Sequence, residues 1–383
     1  MSAIRAKEPP RLLEIDVLRP LAMLTIFFFH TARFFNFEDW HVKNLVLSQG
    51  VSAMVMFVSN WVMPLFFILS SISVASALRK RSAGEFIGER AKRLLVPLIF
   101  GIFVIAEPQV YIERISHGEF AGSFFDFYPR YFDGWYGFGG NFAWMGLHLW
   151  YLLFLFVFSL LLLFPFRALL PKIGKEGTSL ISRLLARPES IYLLALPLIV
   201  VELWVNRYPE TIGNRSFGGW SPITYFVFFI IGFLLSSHQI YSRLERFRYQ
   251  ALVGAFVVTG VSFLLYFFDF FEGDGVADYL YQSAVLPTGA WLWVVSFIGF
   301  SKRYLSVSNA MTRYANEAVL PFYILHQTVI VITGYFIIEW AAPVSLKYLF
   351  LASASFIVIM AMYELCVRRF SLTRFLFGMK GKR

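Results

Sequence analysis

Long apolar runs dominate this chain, and most of its charged positions fall between them. Ten runs approach the length of about 20 residues that a hydrocarbon core requires. They lie at roughly 15–36, 51–77, 94–112, 145–166, 190–206, 222–240, 251–271, 281–300, 317–338 and 347–366. This pattern predicts an all-α, polytopic membrane protein with about ten transmembrane helices in a single domain over 1–383. The segments between runs alternate in charge. Of the 34 lysines and arginines, 26 fall in the alternate segments 1–14, 78–93, 167–189, 241–250, 301–316 and 367–383. Only Arg33, Lys43, Arg114, Arg130, Arg207, Arg215 and Lys347 fall in the others. Cytoplasmic loops carry the basic excess, so both termini are expected in the cytoplasm. The tail at 367–383, VRRFSLTRFLFGMKGKR, mixes Phe and Leu with Arg and Lys as an interfacial helix would.

Composition strengthens this picture. Hydrophobic residues make up 58% and charged residues 15%, and the mean hydropathy is +0.64, outside the soluble range. The net charge of +10 is mostly a topology signal and not a nucleic-acid footprint. It leaves a cytoplasmic face suited to anionic lipid or an anionic cofactor. With Cys366 as the single cysteine, a disulfide framework and a cysteine-ligated metal site are excluded. The first run has too long an apolar core for a signal peptide and holds charges, so it is expected to be retained.

Those charges are the most informative feature of the chain. Within RLLEIDVLRPLAMLTIFFFHTARFF, from Arg11 to Phe35, stand Asp16, Arg19 and His30. An ionisable group in hydrocarbon costs roughly 2.5–3.5 kcal/mol on insertion scales and is a functional hypothesis by default. Arg19 and His30 lie eleven residues apart, which puts them on one helix face about 16 Å apart along the axis. Imidazole can take and return a proton near neutral pH, although a histidine there could equally bond a neighbouring helix. Arg19 could also snorkel or pair with Asp16.

Arg90 and Arg93 precede the third run at a spacing that puts them on a common face, where two guanidiniums could grip phosphates. Ser70, Ser71 and Ser73 suggest close helix packing. His148, His326, Glu107 and Glu202 are also within or beside spans, as cavity-lining or interior groups. The outer segment 113–144 offers Tyr128, Tyr131, Trp135, Tyr136 and Trp144, with Asp126 and Asp133, as an interfacial belt or a surface for sugar rings. A second outer loop carries Asp269, Glu272, Asp274 and Asp278. No ligand-like spacing points to a metal, and no Walker loop, dinucleotide fingerprint or serine elbow is present. On these residues alone, an enzyme with a transmembrane channel and a transporter of a glycan precursor or organic anion are both open.

Several of these motifs occur together in one family. EIDVLRPLAML with Asp16, Arg19 and then His30 resembles the first-helix signature of the membrane-bound acyltransferase family 3. So do PLFFILSS, the Arg90/Arg93 pair followed by Pro97, HLWYLL and PFYILHQ. Within that family, Trp40-His41-Val42, FYILHQ and the tail's YEL and RFLFGMK are most similar to the glucan-biosynthesis protein C branch, which O-succinylates periplasmic glucans. One departure is that Ser71 stands where the second-helix motif usually has glycine.

The resemblance implies an acyl group, in that branch succinyl, moving from cytoplasmic acyl-CoA to a glycan hydroxyl outside a bacterial cytoplasmic membrane. His30 would be catalytic. Arg19, Arg90 and Arg93 would line the donor channel, and Asp16, His148, His326, Trp40 and His41 would support the site or face the acceptor. Direct transfer and an acyl-histidine intermediate are both compatible with it, and no metal or nucleic acid is implied. The motifs do not specify the oligomeric state.

Overall fold

The computed structural model describes residues 12–171, 189–268 and 275–381. Arg5, Lys7, Arg11, the basic residues of 172–188, the outer-loop acids Asp269, Glu272 and Asp274, and Lys382 and Arg383 lie outside the described residues. Thirteen helices carry the fold. They are α1 (Leu13–Arg33), α2 (Gln49–Leu78), α3 (Ala83–Ser116), α4 (Trp150–Leu161), α5 (Leu163–Leu169), α6 (Ser190–Val205), α7 (Pro222–Leu235), α8 (His238–Arg246), α9 (Arg248–Phe267), α10 (Val276–Tyr304), α11 (Ala310–Tyr335), α12 (Val344–Val367) and α13 (Ser371–Leu376). Among the described residues no strand forms, and the only bridge pairs Trp135 with Phe142.

The protein is all-α and polytopic, and its helices follow the expected runs with differences in length and continuity. Among the described residues seven helices are continuous, long and apolar enough to cross a membrane, and there are up to nine if two bent pairs each count as one span. The run at 145–166 becomes α4 and α5, bent by 55°, and that at 222–240 becomes α7 and α8, bent by 97°. The run at 190–206 forms only the short helix α6. Local sequence explains part of the difference. Gly146 and Leu147 adopt positive φ of 73° and 53°, which delays the start of α4, and Ser236–Ser237 interrupts the α7–α8 run. In the opposite direction, Ser82 and Glu85 form a reciprocal capping box that starts α3 eleven residues before the apolar run.

Prolines inside the spans open places where other helices attach. A proline has no N–H to give the carbonyl four residues earlier. Pro20 frees the Asp16 carbonyl of α1, and Asn316 Nδ2 of α11 donates to it at 2.7 Å. Pro64 frees the Asn60 carbonyl of α2, and the Trp220 indole donates to it at 3.0 Å. Elsewhere the ladder widens by one residue just ahead of a proline. The π-turns Ala91–Leu95, Gly101–Ile105 and Tyr281–Val285 precede Pro97, Pro108 and Pro287. Such turns re-aim the side chains around them, and the first follows Arg90 directly.

The α2 helix is the most enclosed, with 83% of its apolar window buried. It packs against α7 where Gly232 faces the Ile68 carbonyl and Ser71. A Cβ on Gly232 would stand 2.7 Å from that oxygen and 2.9 Å from Ser71 Cβ. The close approach that the departure at Ser71 put in question is therefore kept, with the glycine supplied by the partner helix. By contrast, α9 is only 17% buried, and Val253, Phe256, Val257 and Leu264 are exposed, as lipid-facing residues would be. The tail helix is not wholly interfacial. Phe377 is buried against Phe100 of α3 at 5.4 Å and Arg374 pairs with Glu317 at 2.9 Å, while Phe370, Leu372 and Phe375 remain exposed.

Candidate active site

Two neighbouring cavities are lined in part by α1. The smaller, about 170 Å³, is lined by Arg19, Ser70, Ser73, Arg90, Arg93, Tyr151 and Asn316 among others. The larger, about 750 Å³, is lined by His30, Trp40, His41, Tyr136, Trp144, His148 and Gln327, with the 214–219 loop as one wall. Ile26, Met63 and Tyr323 line both. Arg19 and His30 thus line two neighbouring cavities, as their shared helix face predicts.

In the smaller cavity Arg19 neither snorkels away nor stands alone, since its Nη2 donates to Ser73 Oγ at 2.8 Å. Ser70 shares a 2.5 Å hydrogen bond with the Tyr151 hydroxyl. Packing, the role expected of all three serines, therefore describes only Ser71, which is fully buried. Arg90 is buried over the Phe86 ring at 5.0 Å, and its Nε has no hydrogen-bond partner. Arg93 lies 3.7 Å from Glu89 and is about half exposed. Asp16 lines neither cavity and stays on α1 one turn before Arg19.

The larger cavity gathers histidines that are far apart in sequence. His326 Nε2 lies 3.0 Å from His30 Nδ1, and the ring centroids are 4.9 Å apart. His148 meets His326 edge-on at 5.1 Å. Trp40 stacks near His30 at 6.4 Å and touches His41 at 5.6 Å. Behind these rings runs a buried polar chain. The His41 ring bonds Glu113 through Nδ1, and Tyr136 donates to the same carboxylate at 2.8 Å. Burial and the adjacent Glu113 carboxylate hold the Tyr136 phenol well above its ordinary range, so it remains a donor. Gln327 Nε2 donates to His41 Nε2 and to Gln109 Oε1, each at 3.0 Å. Gln109 Nε2 donates to Thr328 at 2.7 Å and lies 3.4 Å from His148 Nδ1. A satisfied buried network of this kind fixes rotamers as well as paying for its own desolvation.

Gln109, Glu113 and Gln327 were not singled out from sequence. A local signal exists, because Gln109 and Glu113 sit four apart within an apolar helix and Gln327 directly follows His326. Of the outer aromatics, Tyr136 and Trp144 line the cavity, whereas Tyr131 is fully buried and donates to the Ile102 carbonyl at 2.7 Å. Asp126 caps a short helix through Ser123. Glu202 is a buried interior group. It pairs with Arg215 and accepts from Thr224, while Arg215 also donates to the Gly219 carbonyl at 2.9 Å. This anchors the loop that walls the larger cavity. Glu107 is buried with Oε1 unpartnered and lines neither cavity. Among the described residues no three His, Cys, Asp or Glu side chains are grouped to hold a metal ion.

A half-buried histidine lining a large cavity inside a bundle of membrane-length helices marks an integral-membrane protein with polar groups gathered within its own bundle. The particular chemistry follows from a family match. Residues 12–364 match the family model described as an acyltransferase domain, so the chain belongs to acyltransferase family 3 and is a multi-pass membrane acyltransferase. No curated protein and no solved structure matches it.

Proposed function

We propose that the protein moves an acyl group from cytoplasmic acyl-CoA to a hydroxyl of a glycan outside a bacterial cytoplasmic membrane, with both termini in the cytoplasm. The observation that carries this reading is that the cavity of Arg19, Arg90 and Arg93 and the cavity of His30 share Ile26, Met63 and Tyr323 as wall residues. Arg90 and Arg93 suit the anionic nucleotide end of the donor, because guanidinium forks match phosphate oxygens. The pantetheine arm passes Arg19 and brings the thioester to His30, about 16 Å further along α1. His30 accepts the proton of the acceptor hydroxyl as its oxygen bonds to the acyl carbon. The carbon–sulfur bond breaks, and His30 returns the proton to the thiolate. The aromatic lining from Trp40, Trp144 and Trp150 suits the faces of sugar rings. Succinyl transfer to a glucan is the finer form of the reading, supported by the Trp40-His41-Val42 and tail motifs.

The test is transfer of labelled acyl groups by purified protein in detergent, with wild type compared with a folded His30→Ala variant. A loss of about 10²–10⁴-fold in kcat is expected. Undiminished transfer by the variant would overturn the role of His30, and wild-type protein that transports but never transfers would favour a carrier.

A further inference from the structure

His30 and His326 share a nitrogen–nitrogen contact, and the groups around it decide which atom holds the proton. His326 Nδ1 lies 2.6 Å from the Tyr323 carbonyl. A carbonyl only accepts, so this nitrogen carries a hydrogen. On the other ring, His30 Nδ1 lies 3.1 Å from the Ile26 carbonyl, which also calls for a donor. Only one hydrogen fits within the 3.0 Å contact between His30 Nδ1 and His326 Nε2. The arrangement consistent with all three distances has Nδ1–H of His30 shared between the Ile26 carbonyl and a bare Nε2 of His326. The remaining nitrogen of His30, Nε2, is then the bare one. It bonds no protein group among the described residues, on a ring that lines the larger cavity.

We propose that His326 is a positioning residue that holds His30 in its Nδ1–H tautomer, so that the lone pair on Nε2 faces the reacting hydroxyl. In hydrolytic triads a carboxylate fills the orienting place behind the base. Here a neutral imidazole does so, anchored by the Tyr323 carbonyl, in a helix bundle where a carboxylate would be costly to bury. When His30 takes the acceptor proton on Nε2, its Nδ1–H remains bonded to His326, which stabilises the imidazolium without itself changing protonation. The remaining histidines have other duties. His148 Nε2 is 3.1 Å from the Ile324 carbonyl, and His41 is held by Glu113 and Gln327.

This inference rests on His30 being the base, and three substitutions at His326 separate it from that reading. His326→Asn can reproduce the bond to Tyr323 but cannot reach His30. A glutamine side chain places an amide oxygen where Nε2 stood. His326→Ala and His326→Asn are expected to lower kcat at least ~10-fold, within the ~10²–10⁴ that acid–base catalysis supplies, with KM for acyl-CoA little changed. His326→Gln is expected to recover much of the loss. Equal activity of the Asn and Gln variants, with melting temperatures matched, would overturn the tautomer role. If His30→Ala is inactive while His326→Ala keeps wild-type kcat, only this inference falls. If His30→Ala keeps full activity, the reading beneath it falls as well.

Discussion

The two cavities treat charge in opposite ways. In the larger one, each arginine among the described lining residues already has a carboxylate. Arg33 pairs with Glu38, and Arg215 pairs with the buried Glu202. In the smaller one, Arg19 donates to a serine hydroxyl, Arg93 lies 3.7 Å from Glu89, and the buried Arg90 leaves its Nε unpartnered. A buried guanidinium with an unfilled donor costs stability, and the fold carries that cost at Arg90. Under the proposed function the contrast suits the two substrates. The smaller cavity fits the anionic donor, whereas the larger offers aromatic faces, polar side chains and a histidine to the proposed glycan acceptor.

This contrast predicts which measurements respond to which substitution. The largest effect is expected at Glu202. Its replacement by alanine takes the carboxylate from the partly exposed Arg215, which keeps its bonds to Asn206 and the Gly219 carbonyl, so a loss at the low end of the about 3–5 kcal/mol of a broken buried pair is expected. It should appear as a lower melting temperature together with a weaker glycan-side KM, as the 214–219 wall loosens. Wild-type stability in Glu202→Ala would show that the larger chamber does not depend on its internal pairing.

Arg90→Ala should behave in the reverse manner. Acyl-CoA binding measured by calorimetry should weaken by about 1.5–3 kcal/mol, the usual worth of a charged hydrogen bond. The melting temperature without ligand should hold or rise, because a buried guanidinium with an unpartnered Nε has been removed. Unchanged affinity would remove Arg90 from the donor site. The smallest effect is expected for Ser73→Ala, which takes one neutral partner from Arg19. A change in donor affinity of about 1 kcal/mol with unaltered kcat would fit, and a change confined to kcat would place Arg19 in the chemistry instead.

The first helix shows how much could be read in advance. Its length, its retained charges and the common face of Arg19 and His30 all follow from residues within 25 positions of one another. Helix geometry turns such short spacings into directions. The same holds for the start of α3, where Ser82 and Glu85 form a local cap, and for the attachment points opened by Pro20 and Pro64. Helix ends and bends were not evident from hydropathy where local backbone geometry sets them. The late start of α4 depends on two positive-φ residues, and the turn after α7 on a pair of serines within an otherwise apolar run.

The sequence by itself determined the class of this protein, an all-α membrane acyltransferase, because apolar length and family motifs are written in contiguous residues. It also determined that His30 and the arginines at 19, 90 and 93 were the side chains to watch. Only the tertiary structure decided how they are connected. The His30–His326 contact joins residues 296 positions apart, and Gln327 to Gln109 spans 218. No periodicity along the chain encodes which turn of α11 will face α1. Packing decides it, through the Asn316 bond to the carbonyl freed by Pro20 and the buried network from Tyr136 to His148. The sequence therefore supplied a histidine in a membrane, and the packed bundle supplied the neighbour that orients it.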